Sequence, residues 1–191
     1  MNRSEEQVLV KRAAAGDKAA AEGLIRAHQQ SLFAYLSRMS GRPDMAEDIV
    51  QEAFVRVLTH LDRFDPRFRF STWLFTIGRR LLMNQSQRHR PAYDTDGVGR
   101  MEGRWDAPEA SAAAGEAAQG TRAAIQRALL ELNETQREVV ILFHQLDWPI
   151  WLIAQHMGMP EGTVKSHLHR GRRRMKEVLQ SVPRSVGEAV A

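Results

Sequence analysis

Apolar side chains recur at helical spacing almost throughout this chain, and no stretch alternates with period two for long enough to make a strand. That pattern restricts the fold to all-α, with helices that each bury one face. Ser4 is read as the cap of a first helix running through Val8 and Leu9 to about Ala15, where Gly16-Asp17 supply a stop and a new start. A second helix follows from about Lys18 to Met39, with Leu24, Ile25, Leu32, Phe33 and Leu36 inward, and Ser40-Gly41-Arg42-Pro43 ends it. The third spans about Asp44 to Leu61, burying Ile49, Ala53, Phe54, Val57 and Leu61. Asp65-Pro66 breaks the pattern before a fourth helix from about Ser71 to Gln87.

The periodicity then stops. Pro91, Gly97, Gly99, Gly103, Pro108, Gly115 and Gly120 punctuate a polar, Ala-rich run with few large apolar residues. Such a run buries too little surface to offset its ordering entropy. The expected organisation is therefore a domain over 1–92, a linker over 93–120 whose half at 110–119 can become transiently helical, a second domain over 121–182, and a tail over 183–191. In the second domain the helical period runs through Leu129, Leu130 and Leu132, then Val139, Leu142 and Phe143, then Ile150 to Met157, then 161–179. Ile150, Ile153, Ala154 and Met157 are expected on the inner face of the third of these helices.

Charge follows the same division. Residues 1–92 hold 15 basic and 10 acidic side chains, 93–120 hold 2 and 6, and 121–182 hold 9 and 6. Two basic blocks with an acidic connector suggest two surfaces for a polyanion. There is no cysteine, so disulfides and thiolate metal sites are excluded. The N-terminus lacks the apolar core of a secretory signal, and runs such as Val139–Phe143 are too short to span a bilayer. A cytoplasmic protein without membrane insertion is expected.

Three motifs carry the functional reading. Ile150–Met157, the Gly158 turn and the segment Pro160-Glu161-Gly162-Thr163-Val164-Lys165-Ser166-His167 read as a helix, a tight turn and a second helix. That second helix bears Lys165, Arg170, Arg172, Arg173, Arg174 and Lys176, with no acid between Glu161 and Glu177. Cations near a helix C-terminus also suit its dipole. The small residues Gly162, Thr163 and Ser166 at its start favour entry into a DNA groove, slim end toward the bases and cations toward phosphates. The second motif is the acidic face Asp44, Glu47, Asp48, Gln51 and Glu52. Carboxylates near a helix N-terminus are favourable for local reasons, but like charges at i, i+4 repel, so their concentration suggests a basic protein partner. No His or Cys completes a metal set there. The third is Arg63-Phe64-Asp65-Pro66-Arg67-Phe68-Arg69-Phe70-Ser71-Thr72-Trp73, continued by Arg79, Arg80, Arg88 and Arg90. Phe64, Leu74 and Ile77 are expected in the core, and the interleaved aromatics and arginines suit single-stranded nucleic acid.

Together these features resemble the sigma factors of bacterial RNA polymerase, specifically the small two-domain extracytoplasmic-function group. Asp44–Phe54 looks like that group's region 2 signature, and Phe70-Ser71-Thr72-Trp73-Leu74-Phe75-Thr76-Ile77-Gly78-Arg79 like its promoter-melting segment. Leu132–Val139 and Pro160–Arg172 look like region 4. The resemblance implies two helical domains, a region 2 bundle and a region 4 helix-turn-helix. It also implies roles: Asp44, Glu47, Asp48, Gln51 and Glu52 docking on the β′ coiled coil of core RNA polymerase; Arg67, Arg69, Phe70, Ser71, Thr72, Trp73, Arg79 and Arg80 binding the −10 element and the unpaired non-template strand; and Glu161, Gly162, Thr163, Lys165, Ser166, His167, Arg170, Arg173 and Arg174 binding the double-stranded −35 element. The β flap and an anti-sigma factor are further implied partners. No catalytic residue, metal or cofactor is implied.

The chain departs from the group at three places. Arg79-Arg80 stand where Arg-Asn is usual, His167 where Arg is usual, and Trp148-Pro149-Ile150-Trp151-Leu152 replaces a more polar stretch. That apolar stretch is expected to pack in the core rather than to dock a regulator. Thr163–His167 also resembles the output helix of response-regulator transcription factors, but these need an N-terminal α/β receiver, and 1–92 reads as strand-free. A helical enzyme or metal protein fits least, because the seven histidines are scattered.

Overall fold

A computed structural model describes residues 1–88 and 115–181, and every regular element among them is helical. Two units form, residues 1–104 and 105–191. In the first, α1 (Arg3–Ala14), α2 (Lys18–Ser40), α3 (Pro43–Thr59), a 3₁₀ turn (Leu61–Arg63) and α4 (Phe70–Arg88) follow in order. In the second come α5 (Gly115–Leu130), α6 (Glu134–His144), α7 (Ile150–Met157) and α8 (Glu161–Ser181). The linker reading over 93–114 and the tail at 183–191 lie outside the described residues. Gly115–Gly120, read as linker, is already the first part of α5.

In unit 1, α2 packs against α1, α3 and α4. Leu24, Leu32, Tyr35, Leu36, Ile49, Ala53, Val57 and Leu74 are fully or almost fully buried. Each large apolar side chain removed from water in this way contributes about 1.5–3 kcal/mol before entropy is counted. Ile25 and Phe33, expected inside, are only half-buried, and Tyr35 takes the central place against Phe75, ring centroids 5.3 Å apart. The cap of α1 is Asn2 rather than Ser4: its side chain accepts from Glu5 N at 2.9 Å, and Glu5 accepts in return from Asn2 N at 3.1 Å. α3 begins with Pro43 at its first turn and ends at Thr59, leaving Leu61 to the 3₁₀ turn.

In unit 2, Arg137 closes the end of α5. Its guanidinium donates to the carbonyls of Leu129, Leu130 and Leu132 at 2.9–3.0 Å, pairing acceptors that a helix end leaves open. Asn133 caps α6 by accepting from Gln136 N at 2.9 Å. Glu138 of α6 and the His156 side chain of α7 are wholly buried, Oε1 lying 3.2 Å from Nε2, which ties the two helices together. Gly158, at φ 65°, supplies the left-handed backbone that turns α7 toward α8. The inner face of α7 is Leu152 and Ile153, with Ile150, Ala154 and Met157 half-buried beside them.

α8 packs against α5, α6 and α7 through Val164, Leu168 and Gly171. A Cβ at position 171 would sit 2.8 Å from Val140 Cγ2 and 3.6 Å from Gln136 Cβ, so glycine sets how closely α8 approaches α6. Gly171→Val is expected to destabilise unit 2 by about 1–3 kcal/mol through overpacking, read as a lower thermal midpoint. An unchanged midpoint would show that α8 can shift without cost.

Candidate nucleic-acid and protein interfaces

The acidic face is built by the amphipathicity of α3. Met45, Ala46, Ile49, Ala53 and Phe54 turn inward, which leaves Asp44, Glu47, Asp48, Gln51 and Glu52 exposed together. They are not equivalent. Asp44 accepts from Arg42 at 2.7 Å, and this hydrogen bond holds its carboxyl below the ordinary aspartate range. Glu52 pairs with Arg56 one turn on. Glu47 and Asp48 make no ion pair among the described residues, so the uncompensated charge is concentrated at the middle of the face.

The aromatic-basic segment divides into core and surface. Phe70 is fully buried, with ring centroids 5.6 Å from His28, 6.1 Å from Phe64 and 6.2 Å from Trp73, and Thr72 is buried as well. Neither can present a face to a base in this conformation. Both were expected to contact DNA; in this conformation they pack inward at the start of α4. Arg69 is half-exposed, with its Nε facing inward 3.8 Å from the buried Glu6 carboxylate. Ser71 and Trp73 are half-buried, whereas Arg67 and Arg80 are exposed and Arg79 is partly so. Arg67 pairs with Asp65 at 2.7 Å. The outward aromatic of the segment is Phe68, 41% exposed. The side chain of Arg88 and all of Arg90 lie outside the described residues.

A pocket of about 320 Å³ opens between α3 and α4, lined by Arg56, His60, Trp73, Ile77 and Arg80. Its aromatic wall, apolar floor and flanking cations match what an unstacked base with its phosphate requires. Ile77 lines this pocket rather than lying in the core. Arg56 and His60 were missed in the sequence, although their i, i+4 spacing beside the inward Ala53 and Val57 put them on the flank of α3 nearest α4.

The segment 64–71 is held from α1. Arg3 donates to Arg67 O at 2.7 Å and Gln7 to Pro66 O at 2.9 Å. Glu6, only 3% exposed, accepts from Ser71 N at 3.2 Å and lies 3.3 Å from His28 Nε2. Burial pushes the Glu6 carboxyl up, but the His28 contact, the Ser71 N–H and the charges of His28 and Arg69 together outweigh it. The net result is a carboxyl below the usual glutamate range.

On α8, burial of Val164, Leu168 and Gly171 turns Glu161, Gly162, Thr163, Lys165, Ser166 and Arg170 to solvent. Lys165 and Arg170 make no ion pair among the described residues. Further along, Arg173 lies 3.8 Å from Glu177, while Arg174 lies 3.6 Å from Glu177 and 3.7 Å from Glu131, so these two cations are partly compensated. Arg172 turns back onto unit 2. It stacks over the Phe143 ring at 5.1 Å and donates to His144 Nε2 at 2.9 Å. His144 is held below the ordinary histidine pKa by burial and then by the Arg172 charge, against an opposing pull from Asp147. His167 is half-buried. In the apolar stretch the two tryptophans part company. Trp148 is buried edge-on against His156 at 5.3 Å, as expected of core, whereas Trp151 is 56% exposed.

No described helix is long and apolar enough to cross a membrane. Residues 24–91 match the family model for sigma-70 region 2, and residues 122–175 that for sigma-70 region 4. The chain is similar to the ECF RNA polymerase sigma factor SigW of Bacillus subtilis (strain 168), 29% identical over 91% of this chain and 96% of the relative. It is 32% identical to the ECF RNA polymerase sigma factor SigL of Mycobacterium tuberculosis (strain ATCC 25618 / H37Rv), over 89% of this chain and 94% of that one. Among solved structures, the sigma factor RpoE of Bartonella quintana, in complex with the anti-sigma factor NepR, aligns with a TM-score of 0.66 at 25% identity, covering 84% of this chain and 97% of that one. CnrH, in complex with the cytosolic domain of CnrY, shares the fold with a TM-score of 0.70 at 24% identity, over 93% and 99% of the two chains.

Proposed function

The chain belongs to the extracytoplasmic-function group of RNA polymerase sigma factors, and on that premise we propose how its surfaces divide the work of promoter recognition and transcription initiation. The acidic face of α3, centred on Glu47 and Asp48, docks on the basic side of the β′ coiled coil of core RNA polymerase. Unit 2 engages the β flap and inserts the start of α8 into the major groove of the −35 element. There Gly162, Thr163 and Ser166 approach base edges, while Lys165 and Arg170 neutralise phosphates. The linker, acidic in sequence, passes through the polymerase interior, where negative charge avoids trapping nucleic acid.

Strand opening falls to the segment 64–73 and the pocket beside it. A base that leaves the duplex loses stacking, and the Trp73 wall replaces it at about 1–3 kcal/mol per base. Arg56 and Arg80 hold the adjoining phosphates, and Arg67 with Phe68 extends the surface along the single strand. Binding alone drives the opening, so no covalent chemistry is assigned to the chain. An anti-sigma factor is a further partner, supported by the RpoE–NepR complex among the structural relatives. Such a partner would have to cover surfaces that the polymerase uses.

The observation that carries this reading is the order of two matched regions on one chain, each with an uncompensated charged surface opposite a buried face. The pocket gives it a test. Trp73→Ala is expected to lower permanganate reactivity of −10 thymines in the polymerase complex about tenfold or more, with −35 binding retained. Undiminished reactivity would remove Trp73 from the base-holding role.

A further inference from the structure

We infer that α1 is a brace for the −10 reader and that Arg3, Glu6 and Gln7 are positioning residues for promoter selectivity, an inference that rests on the role of segment 64–73 proposed above. The matched region 2 begins at Leu24, so α1 lies upstream of it. Nevertheless α1 makes a series of contacts with the segment rather than simply covering the bundle.

Three of them take hold of the backbone. The Arg3 guanidinium and the Gln7 amide donate to the successive carbonyls of Arg67 and Pro66 at 2.7 and 2.9 Å. These carbonyls belong to an irregular stretch between the 3₁₀ turn and α4, which has no ladder of its own to fix it. The third contact is at the start of α4. A helix leaves its first N–H groups without internal partners, and Glu6 accepts from that of Ser71 at 3.2 Å. A carboxylate at this point also faces the positive end of the α4 dipole. Glu6 thus does for α4, from another helix, what a capping side chain ordinarily does from the preceding residue.

The fourth contact biases one cation of the segment. Glu6 lies 3.8 Å from Arg69 Nε and holds the base of that guanidinium toward α1, while Arg67 and Phe68, its neighbours, are exposed. Arg69 is therefore tethered on its inner side and half-exposed on the other, and Arg67 and Phe68 are the members of the run that face solvent without that tether. His28 lies on the other Glu6 oxygen and against the Phe70 ring, so the same carboxylate joins α1, α2 and the start of α4. Loosening the brace leaves every DNA-facing side chain in place and removes only the geometry that presents them.

The test uses full-length protein with core polymerase and a forked DNA pool: a double-stranded −35 half and a single-stranded non-template −10 tail of random sequence. Enrichment after selection reads −10 discrimination. Arg3→Ala/Gln7→Ala is the principal variant, because both residues lie at the surface or near it and their loss strands no buried charge. It is expected to lose about tenfold in enrichment of the preferred −10 sequence, the worth of two backbone-directed hydrogen bonds. Core affinity and helix content should stay at wild-type values, the thermal midpoint should fall by several degrees as the two bonds are lost, and Arg3→Lys should keep most of the discrimination. Glu6→Gln, which retains an acceptor for Ser71 N–H but loses the charge beside Arg69, should shift discrimination in the same direction. Trp73→Ala serves as the control. If it weakens −10 selection while Arg3→Ala/Gln7→Ala selects like wild type, the brace is overturned and the −10 reading stands. If Trp73→Ala also selects like wild type, the −10 reading fails and the brace falls with it.

Discussion

Core RNA polymerase is expected to bind a Glu47→Arg/Asp48→Arg variant at least about a hundredfold more weakly than the wild-type chain. Both side chains stand on the solvent face of α3, neither forms an ion pair among the described residues, and the packing of the helix depends on Met45, Ala46, Ile49, Ala53 and Phe54 on the opposite side. Surface substitutions of this kind usually change stability by no more than about 0.5 kcal/mol, so circular dichroism and the thermal midpoint should be unaltered. Close charge pairs across a protein interface couple by about 1.5–7 kcal/mol. Losing two at the low end already exceeds the roughly 2.7 kcal/mol that a hundredfold requires. Asp44 and Glu52 are expected to matter less, because each brings its own arginine, Arg42 or Arg56, and docking must compete with that pairing. Fluorescence anisotropy of labelled chain titrated with core enzyme reads all four positions. Unchanged affinity of the double variant would remove the docking role of α3.

Lys165→Ala/Arg170→Ala should weaken −35 DNA binding by about tenfold to a hundredfold near physiological salt and flatten the salt dependence by about two units of log–log slope. Each phosphate that a cation neutralises releases counterions, which is why the slope counts contacts. These two side chains face solvent and form no ion pair among the described residues, at the end of the helix that carries Thr163 and Ser166. Arg173→Ala/Arg174→Ala provides the contrast. Those arginines lie within 3.6–3.8 Å of Glu177 or Glu131, so part of their charge is already answered within unit 2. Their removal should cost less and change the slope by less. Binding isotherms at several salt concentrations, with duplex DNA bearing the −35 element, distinguish the two pairs. Equal slopes for wild type and Lys165→Ala/Arg170→Ala would mean that another surface meets the phosphates.

Helical period, charge blocks and the two region motifs are local properties, and the all-α fold and family could be read from them directly. What escaped the sequence required contacts between distant residues. Asn2-x-x-Glu5 and Ser4-x-x-Gln7 both fit a capping box, and Gln7 is instead engaged with the carbonyl of Pro66, 59 positions away. The run Arg67-Phe68-Arg69-Phe70 looks uniform as a string, yet Phe68 and Arg67 face outward while Arg69 and Phe70 face Glu6 and His28. Only the packing of α1 and α2 against that segment separates them. Trp148 and Trp151 pose the same problem: the first precedes α7 and folds onto His156, and the second stands on its outer face. The pocket beside Trp73 needs α3 and α4 side by side, so Arg56 and His60 could be placed on a helix flank but not opposite Trp73.

Run-off transcription with core polymerase and a fragmented bacterial genomic library asks whether this chain selects start sites. Transcripts are expected only when this chain is added, with 5′ ends lying a fixed distance downstream of a shared pair of −35 and −10 sequences. Transcripts identical with and without the chain, or start sites that share no upstream sequence, would contradict that role.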